Sequence, residues 1–232
     1  MVTSKYLALA LSSAIASSLA SPVQQTIQKR GPINFNLSPD SLLALRNVTA
    51  NRKRSDTNYN QDYTTGGDVY FAPATDEFYM SWDTTDDFVC GIGWNPGSTA
   101  PITHAGSFDV TSGLASLSVY GWTTDPLVEY YIQDCVVDLD QSGTQLGTVE
   151  SDGATYTIWE NQRVNEPSIE GTSTFNQYIS IRDSCTASGT ITVENHFQAW
   201  ADHGLTLGTM NFQVIAVESW NGAGTAYQTV NN

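Results

Sequence analysis

From residue 55 onward, apolar and polar positions alternate in short runs. "EFYMSWD", "DFVCGIGW", "SLSVYGW", "LVEYYIQD", "ATYTIWENQRV", "TFNQYISIR", "GTITVENHF" and "MNFQVIAVESW" are rich in Tyr, Trp, Phe, Val, Ile and Thr, and many keep a period of two. Such residues fit a pleated surface, so each run predicts a β-strand. "NPG", "TSG", "SDG" and "NGAG" stand between runs as turn signals. One segment departs from this pattern. In "ENHFQAWADHGL", Phe197, Trp200 and Ala201 recur at helical spacing, Asn195 can cap the start and Gly204 can end it. The pattern predicts an all-β sandwich or jelly roll of packed antiparallel sheets, with one short α-helix on its back.

The first 54 residues read differently. Lys5, the apolar run "YLALALSSAIA" and the small residues "SLA" predict a secretory signal over 1–20, too short to span a bilayer. Residues 21–54 hold the dibasic Lys29-Arg30, "NRKR" ending at Lys53-Arg54, and both glycosylation sequons, at Asn36 and Asn47. They predict a pro-segment removed after Arg54, leaving 55–232 as one domain that is secreted and extracellular. Charge supports the division. Of nine Lys and Arg, only Arg163 and Arg182 lie beyond residue 54, against 23 Asp and Glu, a formal charge of −21. A surface so acidic excludes nucleic acid as a partner, and no later run is long enough for a membrane helix. Its self-repulsion relaxes as pH falls, which suits an acidic medium. Cys90, Cys135 and Cys185 allow one internal bridge at most. His104, His196 and His203 are scattered and no Cys/His spacing suggests a metal, so no metal site is expected. No feature argues for an oligomer, and a monomer is expected.

Two acids sit where strands should be apolar. In "PLVEYYIQD" alternation puts Val128, Tyr130 and Ile132 on a core face, and Leu127, Glu129, Tyr131 and Gln133 on the other. In "FQVIAVESW" Glu218 shares a face with Phe212, Val214, Ala216 and Trp220. A carboxyl in apolar company is desolvated, which raises its pKa and makes a general acid. Two such carboxylates facing one another about 5–5.5 Å apart are what retaining glycoside hydrolysis needs. Aromatics on a non-core sheet face suit the same purpose, since pyranose rings stack on them.

Four stretches carry a resemblance: "DFVCGIGW" (87–94), "VYGWTTDPLVEYYI" (119–132), "NEPSIEGTSTFNQY" (165–178) and "VENHFQAWADHGLTLGTMNFQVIAVESW" (193–220). Together they resemble glycoside hydrolase family 11, the β-jelly-roll xylanases, over nearly all of 59–230. The resemblance implies an endo-β-1,4-xylanase acting on xylan with retention and without a cofactor. It implies Glu129 as nucleophile and Glu218 as acid/base. Tyr120 and Tyr131 would line the cleft and hold the nucleophile and the bound sugar, and Arg163 would stand beside the nucleophile. Pro167, Ser168 and Ile169 belong to the thumb tip "PSIEG", Gln177 to the cleft, and Trp94 to the groove wall, although alternation sets Trp94 opposite Asp87. Asp87 occupies the position that contacts the acid/base, where Asp marks an acid-adapted branch, because coupled titrations belong to the pair.

Departures from the family pattern concern distal sugar positions. A Trp common near the N-terminus is missing, with Tyr63 or Tyr70 as substitutes. Ile179 stands where an aromatic is commoner, and "QDCVVDLDQSG" is unlike the usual loop. The working expectation for the bridge is Cys135 with Cys185. Rival readings are a non-catalytic carbohydrate-binding jelly roll, an elicitor-type protein recognised by a host, and a β-glucanase of the same fold. The first would tolerate loss of either glutamate, and the last would prefer carboxymethylcellulose to xylan.

Overall fold

The computed structural model describes residues 56–232. The signal and pro-segment readings, with both sequons, lie outside the described residues. Eleven strands and one helix follow in order: β1 (Tyr59–Thr64), β2 (Asp68–Ala74), β3 (Glu77–Thr84), β4 (Phe88–Trp94), β5 (Ile102–Thr124), β6 (Val128–Val137), β7 (Thr144–Ser151), β8 (Ala154–Ser168), β9 (Gly171–Arg182), β10 (Ser188–Ile191), α1 (Val193–Asp202) and β11 (Thr209–Asn231). Among the described residues no helix is long and apolar enough to cross a membrane.

Two long strands, β5 and β11, organise everything else. They pair with each other almost end to end, and each changes its second neighbour halfway. The first half of β11 borders β4 and its second half borders β3. The first part of β5 borders β10 and its second half borders β6. The hydrogen-bonded path runs β1-β4-β11-β5-β6-β9-β8-β7, with β2-β3 joined to β11 and β10 to β5. Only β6 with β9 is parallel; the other pairs are antiparallel. Phe78, Met80 and Trp82 of β3 share one buried cluster with Ile92 of β4, Val119 of β5, Ile132 of β6 and Ile215 of β11, so the two halves of the sheet face each other across the core. The Trp82 ring lies 5.8 Å from Phe88 and 6.2 Å from Phe108. This is the expected jelly roll.

Two of the turn signals are not turns. "TSG" lies inside β5 and "NGAG" inside β11, opposite one another at register shifts near Ser112 and Trp220. An extra residue in one strand bends and twists it, which lets a single strand pass from one layer to the other. Gly113 supplies the required backbone at φ +67°, and a Cβ there would strike the Asn221 carbonyl. By contrast, "SDG" is a tight hairpin between β7 and β8, with Asp152 and Gly153 both at positive φ.

Helix α1 packs on the core face, opposite the cleft. Val193, His196 and Trp200 point inward; Trp200 donates Nε1–H to Ser180 Oγ at 3.0 Å, and Phe197 meets Tyr130 edge-on. Its N-cap is Thr192, not Asn195, which falls inside the first turn and donates instead to Ser151. Thr192 gives its hydroxyl to Asp152, tying the helix start to the β7–β8 turn. At the far end Gly204, at φ +81°, and Leu205 return their N–H groups to Ala201 and Trp200. Cys135 is bridged to Cys185, and Cys90 is a buried free thiol. The two buried histidines differ. His104 bonds Gln228 Oε1 through Nδ1 at 3.0 Å and Asp134 through Nε2 at 2.9 Å. His196 stands edge-on to Tyr156 with no hydrogen-bond partner at either nitrogen.

Candidate active site

The outer half of the sheet carries its own apolar face on the side away from the core. Val89, Tyr120, Trp122, Tyr131, Phe175, Phe212, Val214 and Ala216 form a second cluster, contributed by alternate residues of β4, β5, β6, β9 and β11. This face floors a cleft of about 770 Å³, and Glu129 and Glu218 both open into it. Val128, Tyr130 and Ile132 lie in the core while Glu129, Tyr131 and Gln133 line the cleft, and Glu218 sits among Phe212, Val214 and Ala216.

Glu129 is buried and fully engaged. Its Oε1 accepts from Tyr120 Oη at 2.9 Å and from Tyr131 Oη at 3.0 Å, and its Oε2 accepts from Gln177 Nε2 at 2.7 Å. Burial pushes its pKa upward, while Gln177, the two phenols and the more distant charge of Arg163 pull it back. Burial, reinforced by the carboxylates, drives the phenols of Tyr120 and Tyr131 well above 10, so both remain donors. Glu218 is differently placed. Its one short-range partner is Tyr131 Oη at 3.5 Å. Burial first, then the charges of Glu129 and Asp87, hold its carboxyl well above the usual range, against weaker opposition from Tyr131 and Arg163. The Glu129 pKa stays raised overall, but that of Glu218 is held further up, so of the two Glu129 gives up its proton first.

Asp87 lines the cleft just before β4, its backbone clamped by Thr65 through hydrogen bonds of 2.9 and 3.0 Å. Burial raises its pKa and Arg163 lowers it. Arg163 lines the same cleft as Glu129 and acts on it by charge, without a hydrogen bond. It pairs with Glu166 at 3.6 Å, half exposed, and reaches the three carboxyls only through charge. A register shift after Arg163 gives β8 an extra residue and re-aims the β8–β9 hairpin. At its tip Ser168 Oγ donates to Gly171 O at 2.6 Å and accepts from Glu170 N at 3.0 Å. Pro167, Ser168 and Ile169 line the cleft from there.

Tyr63 lines the cleft and Tyr70 does not; the Tyr70 ring stands 6.2 Å from Tyr79. Trp94 is a correction. It belongs to the core cluster with Phe88, Cys90 and Ile92, because an unbroken alternation along β4 keeps it on their side. Two residues absent from the sequence-based set complete the site. Trp122 donates Nε1–H to Tyr120 Oη at 2.6 Å, and Asn161 donates Nδ2–H to Gln177 Oε1 at 3.0 Å. Each has the same parity as a residue already singled out on its strand, Tyr120 and Arg163 respectively. Among the described residues no group of three or more His, Cys, Asp or Glu is placed to hold a metal ion.

Comparison with known proteins places the chain in a family. The sequence pattern of glycosyl hydrolases family 11 matches residues 55–229. The chain is 56% identical over 218 residues to ethylene-inducing xylanase 2 of Botryotinia fuckeliana, covering 94% of this chain and 95% of that one. It is 53% identical over 232 residues to endo-1,4-beta-xylanase 1 of Hypocrea jecorina, covering all of both. Among solved structures, a major endo-1,4-beta-xylanase of Trichoderma reesei superposes with a TM-score of 0.76 at 60% identity, over 77% of this chain and all of that one. A jelly roll whose cleft joins two unlike carboxyls, in a chain matched by that family over residues 55–229, is a glycoside hydrolase and belongs to glycosyl hydrolases family 11.

Proposed function

We propose that this chain is a secreted endo-β-1,4-xylanase that cuts internal xylosidic bonds with retention of configuration, most rapidly at acid pH. The observation that carries the reading is the shared phenol. Glu129 and Glu218 meet Tyr131 Oη at 3.0 and 3.5 Å, so their Oε1 atoms are no further apart than those two distances together. That is short of nearly all of the roughly 6.5–9.5 Å range of inverting pairs and suits the roughly 5–5.5 Å of retaining ones. Relatives at this identity bear the name xylanase, and the cleft aromatics give a chain of pyranose rings flat surfaces to lie on.

Chemistry proceeds in two displacements. The ionised Glu129 attacks the anomeric carbon as the glycosidic bond breaks, and the leaving oxygen takes the proton of Glu218. Glu218, now a carboxylate, removes a proton from water; that water attacks the same carbon and frees Glu129. The activity thus rises as pH climbs through the Glu129 titration and falls as it climbs through that of the Glu218 pair. Asp87 sets the second limb. No hydrogen bond joins Asp87 to Glu218 in this structure; a protonated Asp87 that turned to donate one would strengthen Glu218 as an acid, whereas the ionised group raises the Glu218 pKa through its charge and weakens it. Residues 1–20 direct export and cleavage after Lys53-Arg54 leaves the jelly roll. Reducing-sugar release from xylan between strongly acidic and neutral pH tests the reading. An acid optimum abolished by Glu129→Gln supports it, and folded protein that releases no sugar at any pH contradicts it.

A further inference from the structure

Trp122, Glu129, Gln177 and Asn161 form one row across four strands. Trp122 of β5 is the register partner of Glu129 of β6, Glu129 that of Gln177 of β9, and Gln177 that of Asn161 of β8. The outer members of the row touch Glu129 only through an intermediary. On one side Trp122 bonds Tyr120, which bonds Glu129 Oε1; on the other Asn161 bonds Gln177, which bonds Glu129 Oε2.

The direction of both chains is fixed by groups that have no choice. An indole N–H only donates, so Tyr120 Oη must accept from Trp122 and spend its single proton on Glu129. Asn161 Oδ1 accepts the backbone N–H of Gln162 at 2.9 Å, which turns its amide N–H groups toward Gln177 Oε1 and, at 3.5 Å, toward Ser142 Oγ. With Oε1 so occupied, Gln177 must present Nε2 to the carboxylate. We propose that Trp122 and Asn161 are positioning residues that set the donor direction of two hydrogen-bond relays, so that every neighbour of the Glu129 carboxylate donates to it and none accepts.

Without Trp122 the Tyr120 hydroxyl is free to turn and accept a proton from Glu129. Without Asn161 the Gln177 amide is free to rotate and set Oε1 against it. Either rotation favours the protonated carboxyl, which cannot attack. The other titratable and charged groups around Glu129 are Tyr131 of β6, Glu218 of β11 and Arg163 of β8, none of which either substitution removes. Ser142 belongs to the segment that departs from the family pattern, so that segment lies one hydrogen bond behind the relay.

The inference rests on Glu129 acting as the nucleophile, and its test separates the two claims. Protein carrying glutamate labelled at the side-chain carboxyl carbon is titrated by carbon NMR, with Glu129→Gln identifying the resonance. In Trp122→Phe and Asn161→Leu the Glu129 midpoint should rise, by about one pH unit, and the acid limb of kcat/KM on xylan should rise with it while the other limb stays. Asn161 lies on a partly exposed strand, so Asn161→Leu carries the test if Trp122→Phe fails to fold. An unmoved midpoint in folded variants overturns the relays, even where kcat falls. A moved midpoint in a protein that leaves xylan intact keeps the relays and overturns the nucleophile assignment.

Discussion

Glu129 and Glu218 share a cleft and a phenol, yet they are surrounded in opposite ways. Strand β6 and its neighbours present Glu129 with three hydrogen-bond donors, each of which stabilises negative charge. Strand β11 surrounds Glu218 with Phe212, Val214 and Ala216, which stabilise no charge, and Tyr131 of β6 adds one long contact that opposes burial only weakly. Burial acts on both, but at Glu129 it is opposed and at Glu218 it is reinforced by the two other acids. The difference shows that the proton affinities of two identical side chains can be set by which strands deliver their neighbours.

The strongest way to break the comparison is to remove the charge. Glu129→Gln should lower kcat on xylan by about 10⁴-fold or more, since no other group is placed to attack. Glu218→Ala should cost roughly 10²–10⁴-fold on xylan, but far less on an aryl xyloside whose leaving group needs no proton. Equal losses on both substrates would deny Glu218 the acid role. Asp87→Asn sharpens the account further. If a proton on Asp87 strengthens Glu218, the neutral amide should carry the upper limb of the pH profile to higher pH, by about one unit. If Asp87 acts on Glu218 only through its charge, the same change lowers the Glu218 pKa and the limb moves down instead.

The smallest effect concerns stability, away from the cleft. Burial pushes the His196 pKa down to about 4. Between the unfolded value of about 6.5 and that figure, the unfolded chain binds the proton and the folded one does not. Folding free energy is therefore full above the upper value and declines as pH falls toward the lower one, by about 3 kcal/mol in all. His196→Leu should flatten that decline, read from denaturant midpoints at pH 7 and pH 4.

Alternation was enough to sort β6 and β11 into core and cleft faces, because a period of two is a local property. It also argued against Trp94, where the family likeness pointed the other way. The bends in β5 and β11 were illegible for the opposite reason. Gly113 and Gly222 look like turn residues locally, and only the pairing of one long strand with the other makes them bends within strands. Asn195 lost the cap to Thr192 because Thr192 is held by Asp152, 40 residues away. The Trp122–Asn161 row depends on the register of four strands spread over residues 122–177, which no local pattern encodes.

The central claim, that the two carboxyls divide the labour, is tested most directly by trapping the first displacement. A 2-deoxy-2-fluoro xylobioside with a good leaving group slows the second step, and digestion followed by mass spectrometry locates the sugar. The account predicts one disaccharide per chain, attached to the peptide that contains Glu129. An adduct on Glu218, or rapid turnover that gives the inverted anomer with no adduct, would contradict it.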